Sequence, residues 1–191
     1  DSLVLVIDQE NDGYQYDVSA AAEPSEISAT SYLVADVESG FVFAEKNSEE
    51  ILPIASLTKL VTALVVAEGV DLRKSIEVQP QMLEAYGTTE GLEAYKRFRV
   101  VELFYPLLIP SSNDAAEVLA GFLGRENTIR LMNEKAKAML LQDTTFVDPS
   151  VVDLGNVSTA QDLFYLGRYL FHNRPPLLEI TTGNDVKTFG E

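Results

Sequence analysis

The chain has 191 residues, 46% of them hydrophobic, enough to bury one full core with room for a subdomain. Its 14 basic residues stand against 30 acidic ones, a net charge of -16 that repels phosphate backbones and leaves no basic stripe, so a nucleic-acid partner is excluded. It has no cysteine, which rules out disulfides and thiolate metal sites and leaves the compartment open.

The first apolar run, Leu3 to Ile7, is too short to span a bilayer and has no basic flank of the kind that precedes a signal peptide core. From Asp8 to Glu26 ("DQENDGYQYDVSAAAEPSE") the sequence is acidic and small and lacks sustained periodicity. Residues 1–26 therefore read as an acidic tail or linker, and 27–191 as the domain. "SYLVADVESGFVFAEKN" gives two strand-like runs around Glu38-Ser39-Gly40, a hairpin whose glycine supplies the positive φ of a tight turn.

After Pro53 the period changes. In "PIASLTKLVTALVVAEG" Leu57, Leu60, Val61, Leu64 and Val65 recur at helical spacing, and the helix is apolar on most faces, hence central. Residues 71–99 carry turn signals at Gly87 and Gly91 and read as a surface segment. "VVELFYPLLIPSSNDAAEVLAGFLG" reads as two helices broken at Pro110-Ser111-Ser112, with Pro106 expected to kink or end the first. "ENTIRLMNEKAKAMLL" places Ile129, Met132, Ala136 and Met139 on one helical face. In "NVSTAQDLFYLGRYLF" Ser158 and Gln161 have the spacing of a capping box.

The chemistry concentrates in two places. Ser56-x-x-Lys59 occurs about once by chance in a chain of this length, and its plain reading is a serine cap beside a solvated lysine. Against that reading, Lys59 lies between Leu57 and Leu60-Val61 in an apolar helix, where an ammonium is costly unless it is used. Three residues apart on a helix, the amine and the hydroxyl share a face. Partial burial then lowers the lysine pKa and yields a neutral amine able to take the serine proton. The helix N-terminus adds N–H groups aimed at developing negative charge. Ser111 and Asn113 taken alone are turn and cap residues. Taken with Ser56 and Lys59, they complete two of the three motifs of the penicillin-interacting serine enzymes, Ser-x-x-Lys and Ser-x-Asn.

On these motifs, and on "SYLVADVESG", "MNEKAKAM", "TTFVDPS" and "NVSTAQDL" in the same order, the chain from about Ile27 to Phe189 resembles the serine D-alanyl-D-alanine carboxypeptidases, the low-molecular-mass penicillin-binding proteins. The resemblance implies an α+β fold of the β-lactamase/transpeptidase type, a helical subdomain with an antiparallel sheet. It implies Ser56 as the acylated nucleophile, Lys59 as general base, Ser111 as proton shuttle to the leaving group and Asn113 as ligand of the substrate amide, with the Ser56 N–H as half of the oxyanion hole. It further implies a peptidoglycan stem peptide as substrate, β-lactams as covalent inhibitors, no cofactor, and an exported protein working outside the cytoplasmic membrane, with any membrane anchor beyond these residues.

The third family motif, Lys-Thr-Gly, lies on a strand beyond these 191 residues, and "VKTFGE" near the end has its glycine displaced by Phe189. That strand supplies groups for the substrate carboxylate and the second oxyanion N–H, and losing one such donor costs about a hundredfold to a thousandfold. The sheet is therefore expected to be incomplete, and the chain to be a fragment, a nicked chain or one completed by a separate C-terminal segment, crippled by itself. Pro149-Ser150-Val151-Val152 stands where relatives often have Pro-x-Gly-Leu. A D,D-endopeptidase would use the same residues, and a non-catalytic relative would keep the fold. A β-lactamase ranks lower, because "DPSVVDLGNVS" contains no glutamate. His172, the single histidine, reads as a helix-end residue, and no spacing fits a metal site.

Overall fold

The computed structural model describes residues 4–6, 15–17, 27–83, 92–151 and 155–183, and divides into two units, Asp1–Thr30 and Ser31–Glu191. In the first, β1 (Val4–Val6) pairs antiparallel with β2 (Gln15–Asp17), Leu5 opposite Tyr16. The reading of 1–26 as a tail or linker otherwise lies outside the described residues, as do Gly87, Gly91 and the "VKTFGE" segment.

The second unit opens with the expected hairpin, β3 (Tyr32–Ala35) against β4 (Val42–Lys46), with a bulge between Val34 and Ala35. Asp36 organises its turn. Its carboxylate accepts from the Ser39 hydroxyl and from the N–H groups of Ser39 (2.7 Å) and Glu38 (3.3 Å), which hold it below the usual carboxylate range. Gly40 has φ +79°, and a Cβ there would lie 2.8 Å from Arg168 Nη1, whose guanidinium donates to the Glu38 carbonyl. Among the described residues no third strand joins this hairpin, and Val34, Phe41 and Val42 stay exposed.

Two smaller ladders follow. β5 (Leu52–Pro53) pairs with β8 (Val157–Ser158), and β6 (Ser75–Glu77) with β7 (Arg97–Arg99), so the 71–99 segment contains a strand pair around a 3-10 turn, Pro80–Leu83. The rest is helical: α1 (Thr58–Gly69), α2 (Val100–Leu108), α3 (Asn113–Leu123), α4 (Arg125–Ala138), α5 (Ala160–Asn173) and α6 (Pro175–Thr181). As its all-round apolarity requires, α1 is central, packing on α2, α3, α4 and α6. Val61, Leu64 and Val66 are fully buried, each stabilising by about 1.5–3 kcal/mol.

Helix boundaries follow local chemistry with two departures. Pro106 neither ends nor precedes the end of α2 directly: the helix continues to Leu108, and the Pro106 carbonyl accepts from Ser112 N (2.8 Å). The cap of α5 is Thr159, whose hydroxyl accepts from Asp162 N (3.0 Å). Ser158 belongs to β8 and spends its hydroxyl on Thr144 (2.7 Å), so the Ser158–Gln161 capping box does not form. α4 buries Thr128, Met132 and Ala136, with Ile129 and Met139 half-buried beside them. His172 is exposed in the last turn of α5, edge-on to Phe171.

Gly40→Ala is expected to destabilise the domain by about 1–2 kcal/mol, because the left-handed backbone disfavours a Cβ. A shift in the urea midpoint of that size, with unchanged slope, is the measurement.

Candidate active site

The turn that carries Ser56 is held at both ends before α1 begins. Ile54 N donates to the Asn156 carbonyl (3.2 Å), the β5–β8 pairing precedes it, and Ala55–Leu57 then form one 3-10 turn running directly into Thr58. Ala55 takes a positive φ of 46°, a conformation costly to a residue with a Cβ and typical of sites where surrounding structure over-determines the backbone. Ser56 is exposed at the mouth of the helix, while Lys59, three residues on, is 1% exposed.

Lys59 Nζ donates to Ser56 Oγ at 3.3 Å. Burial pushes the amine down to about 8, with the nearby carboxylate of Asp148 opposing the fall. The solvated-lysine reading of this motif is thereby overturned. At pH 7 about a tenth of such amines carry a lone pair beside a serine hydroxyl.

Ser111 arrives from the other side. The chain leaves α2, and Ser112 caps α3 by accepting from Ala115 N (3.2 Å). With Ser112 fixed as the cap, Ser111 is forced into the left-handed region, φ 63°. Its buried Oγ has no hydrogen-bond partner among the described residues. A cavity of about 520 Å³ joins Ser56, Lys59 and Ser111, walled by Leu57, Leu60, Leu107, Leu108 and Leu178 with Thr181 at one side. Asn113, the first residue of α3, is half-buried and is not among the residues lining this cavity.

Support comes from residues that carry no motif of their own. Asn156 is buried and satisfied throughout: Nδ2 donates to Thr58 Oγ1 (3.1 Å) and to the carbonyls of Asp148 (3.0 Å) and Ser150 (3.4 Å), while Oδ1 accepts from Val147 N (2.8 Å) and Asp148 N (3.2 Å). Thr62 donates to the Pro149 carbonyl at 2.6 Å. The 147–150 loop is thus bolted to the first turns of α1. Within "TTFVDPS" and "NVSTAQDL" the signal for these partners was present only as polar residues in order, without any spacing that ties them to residue 58 or 62. Leu178 and Thr181, on α6, complete the wall and were likewise unassigned. Among the described residues there is no cluster of three His, Cys, Asp or Glu side chains able to hold a metal ion.

Comparison with known proteins gives the family of the chain. A family model described as D-alanyl-D-alanine carboxypeptidase matches residues 17–190. A D-alanyl-D-alanine endopeptidase of Pseudomonas aeruginosa is 36% identical over 147 residues, covering 72% of this chain and 46% of the relative. The D-alanyl-D-alanine carboxypeptidase DacC of Escherichia coli is 33% identical over 167 residues, covering 80% of this chain and 42% of the relative. The structure of penicillin-binding protein D2 from Listeria monocytogenes in its ampicillin-bound form superposes with a TM-score of 0.71 at 32% identity, covering 83% of this chain and 67% of that one. The chain spans about half the length of the curated relatives it matches.

Lys59→Met is expected to stabilise the domain at pH 7 by something on the order of 3 kcal/mol, since it removes a buried charge whose proton affinity falls on folding. The sign is fixed: between about 8 and the ordinary lysine value of 10.5 the unfolded chain binds more protons, so wild-type stability rises with pH across that window. Urea unfolding at pH 7 and pH 10 measures both, and the variant should lose the rise.

Proposed function

The chain belongs to the D-alanyl-D-alanine carboxypeptidase family, and we propose that it carries the acylation machinery of a serine D,D-carboxypeptidase acting on the D-Ala-D-Ala end of peptidoglycan stem peptides. The observation that supports this most directly is the Lys59 amine, 1% exposed and 3.3 Å from the Ser56 hydroxyl.

In this reading the neutral Lys59 amine takes the Ser56 Oγ proton as Oγ attacks the carbonyl carbon of the terminal peptide bond. The resulting oxyanion forms at the start of α1, where the Ser56 N–H and the helix dipole favour negative charge. Ser111, with its unpaired hydroxyl in the same cavity, passes a proton to the departing D-Ala nitrogen, and Asn113 holds the substrate amide. Water then hydrolyses the acyl ester on Ser56. No cofactor enters the scheme. Ampicillin bound to the Listeria relative supports β-lactams as inhibitors that acylate Ser56. Peptidoglycan lies outside the cytoplasmic membrane, so this reading takes the protein to be an exported one.

A second reading is supported by a specific likeness: the relative 36% identical to this chain is named an endopeptidase. The same residues would then cut a cross-link whose scissile bond leaves a second stem peptide rather than free D-Ala. The leaving group alone distinguishes the two.

Intact-mass spectrometry of the full-length protein with and without a penicillin, followed by peptide mapping, tests the core of the proposal. An adduct on Ser56 that is absent in Ser56→Ala is the expected result; an adduct elsewhere, or none, overturns it. Lys59→Met should slow acylation by about 10²–10⁴-fold. Wild-type acylation should fall about tenfold per pH unit below an apparent value of about 8, as the amine protonates. Release of free D-Ala from a pentapeptide, against cleavage of a cross-linked dimer, separates carboxypeptidase from endopeptidase.

A further inference from the structure

The buried carboxylate of Asp148 is not used in the scheme above. It is 2% exposed, on a loop with two ties to the helix that carries Lys59. Thr58 and Thr62 flank Lys59 one residue before and three after, and both reach this loop: Thr58 Oγ1 accepts from Asn156, which also holds the Asp148 carbonyl, and Thr62 Oγ1 donates to Pro149 O. Residues three apart share a helical face, so the Thr62 contact puts the loop beneath the face that carries Lys59. The carboxylate is itself fixed. Oδ1 accepts from Ser150 N (2.7 Å) and Ser150 Oγ (3.3 Å), and Oδ2 lies 3.8 Å from Arg125 Nη2. Arg125 is paired in turn with Glu117 Oε2 (3.0 Å), which also receives Ser150 Oγ at Oε1 (3.2 Å).

We propose that Asp148 is a positioning residue for Lys59: locked beneath the first turns of α1, its carboxylate opposes loss of the lysine proton and keeps the amine basic enough to deprotonate Ser56. This rests on the acylation reading above. Burial alone makes an amine neutral but also a poor base, and a general base works best with its pKa near the working pH. A fixed negative charge counters part of the burial effect, which is the direction in which Asp148 acts on Lys59. The described residues that line the cavity with Lys59 bring no further charge: α2 contributes Leu107 and Leu108, α6 contributes Leu178 and Thr181, and the Ser56 turn contributes a hydroxyl, while α3, which packs on α1, carries the buried carboxylate of Asp114 in its first turn. Glu117 from α3 and Arg125 from α4 act through Asp148, the arginine drawing on its charge. Asp148 touches no reacting atom in this scheme.

The test is a pair of substitutions with opposite expected signs in the full-length protein. Lys59 is followed directly by NMR of ¹³Cε-labelled lysine, its resonance assigned by its absence in Lys59→Met. Asp148→Asn should lower the Lys59 titration midpoint by about one pH unit, a tenfold loss of proton affinity. Arg125→Gln, at a half-exposed position, should raise it. Asp148→Glu should return the midpoint toward wild type. The acid limb of penicillin acylation should move with the resonance in each variant. A merely structural role would shift both variants the same way or neither, and that result overturns the inference. If the midpoints move as stated but no adduct forms on Ser56, the acylation reading fails while the electrostatic role of Asp148 stands. If the adduct forms and the midpoints do not move, the reverse holds.

Discussion

The second unit is arranged around the removal of water from one ammonium group. Lys59 is among the largest fully buried side chains of the described residues, in a group otherwise made of apolar ones. Taking an amine out of water costs free energy that no apolar neighbour returns, so the surrounding contacts have to be strong enough to hold the burial. They are. Five apolar positions of α1 and the inner faces of four other helices form a continuous core around it. The expense of the site is carried by packing that has nothing to do with chemistry, which is the usual relation between a catalytic group and its scaffold.

The polar contacts divide into two networks with different tasks. At the far end of α1, Glu68 accepts from Tyr169 (2.9 Å) and pairs with Lys135 (2.7 Å) and Arg174 (3.2 Å), and the cations and hydroxyl around it hold its carboxyl below the usual range despite burial. That network ties α1 to α4 and to the α5–α6 junction, fixing the helix along its axis. The second, centred on Asn156, fixes the end that follows Ser56. An amide side chain suits that place because it donates and accepts at once, so one residue satisfies the loop's N–H and carbonyl groups together with Thr58. Removing it would strand several buried backbone groups, each costing about 1–3 kcal/mol.

The parts of this architecture that the sequence declared were those whose causes are local. Apolar periodicity announced α1 and α4, Asp36 to Gly40 announced the hairpin turn, and Ser-x-x-Lys announced its own geometry because a helical turn brings residues three apart together. What stayed hidden was decided by partners distant in the chain. Ser158 and Thr159 are adjacent hydroxyls, both able to cap α5, and only the pairing of β8 with β5 and the reach of Thr144 assign one to the ladder and the other to the cap. Pro106 lacks an N–H for its helix, but the helix runs on to Leu108, and the Pro106 carbonyl is the atom that Ser112 uses. The bolting of residues 147–150 to α1 joins positions 87 apart in the chain at Thr62, a link that no single-sequence pattern expresses.

The three-residue separation of Ser56 and Lys59 has a kinetic side. Bringing two groups together across three residues closes almost no loop, so their encounter is nearly free of the chain entropy that long-range pairings must overcome. The serine and lysine are joined by one 3-10 turn running into α1, and the long-range contacts of Ile54 with Asn156 and of β5 with β8 set how that turn is held. Dryness has the longer-range cause, the walls that α2 and α6 set around the amine. On that account geometry and reactivity have separate causes: the closeness of the pair costs little chain entropy, whereas the dryness that, in the proposed scheme, makes a base and its target of an ammonium and a hydroxyl depends on the completed core.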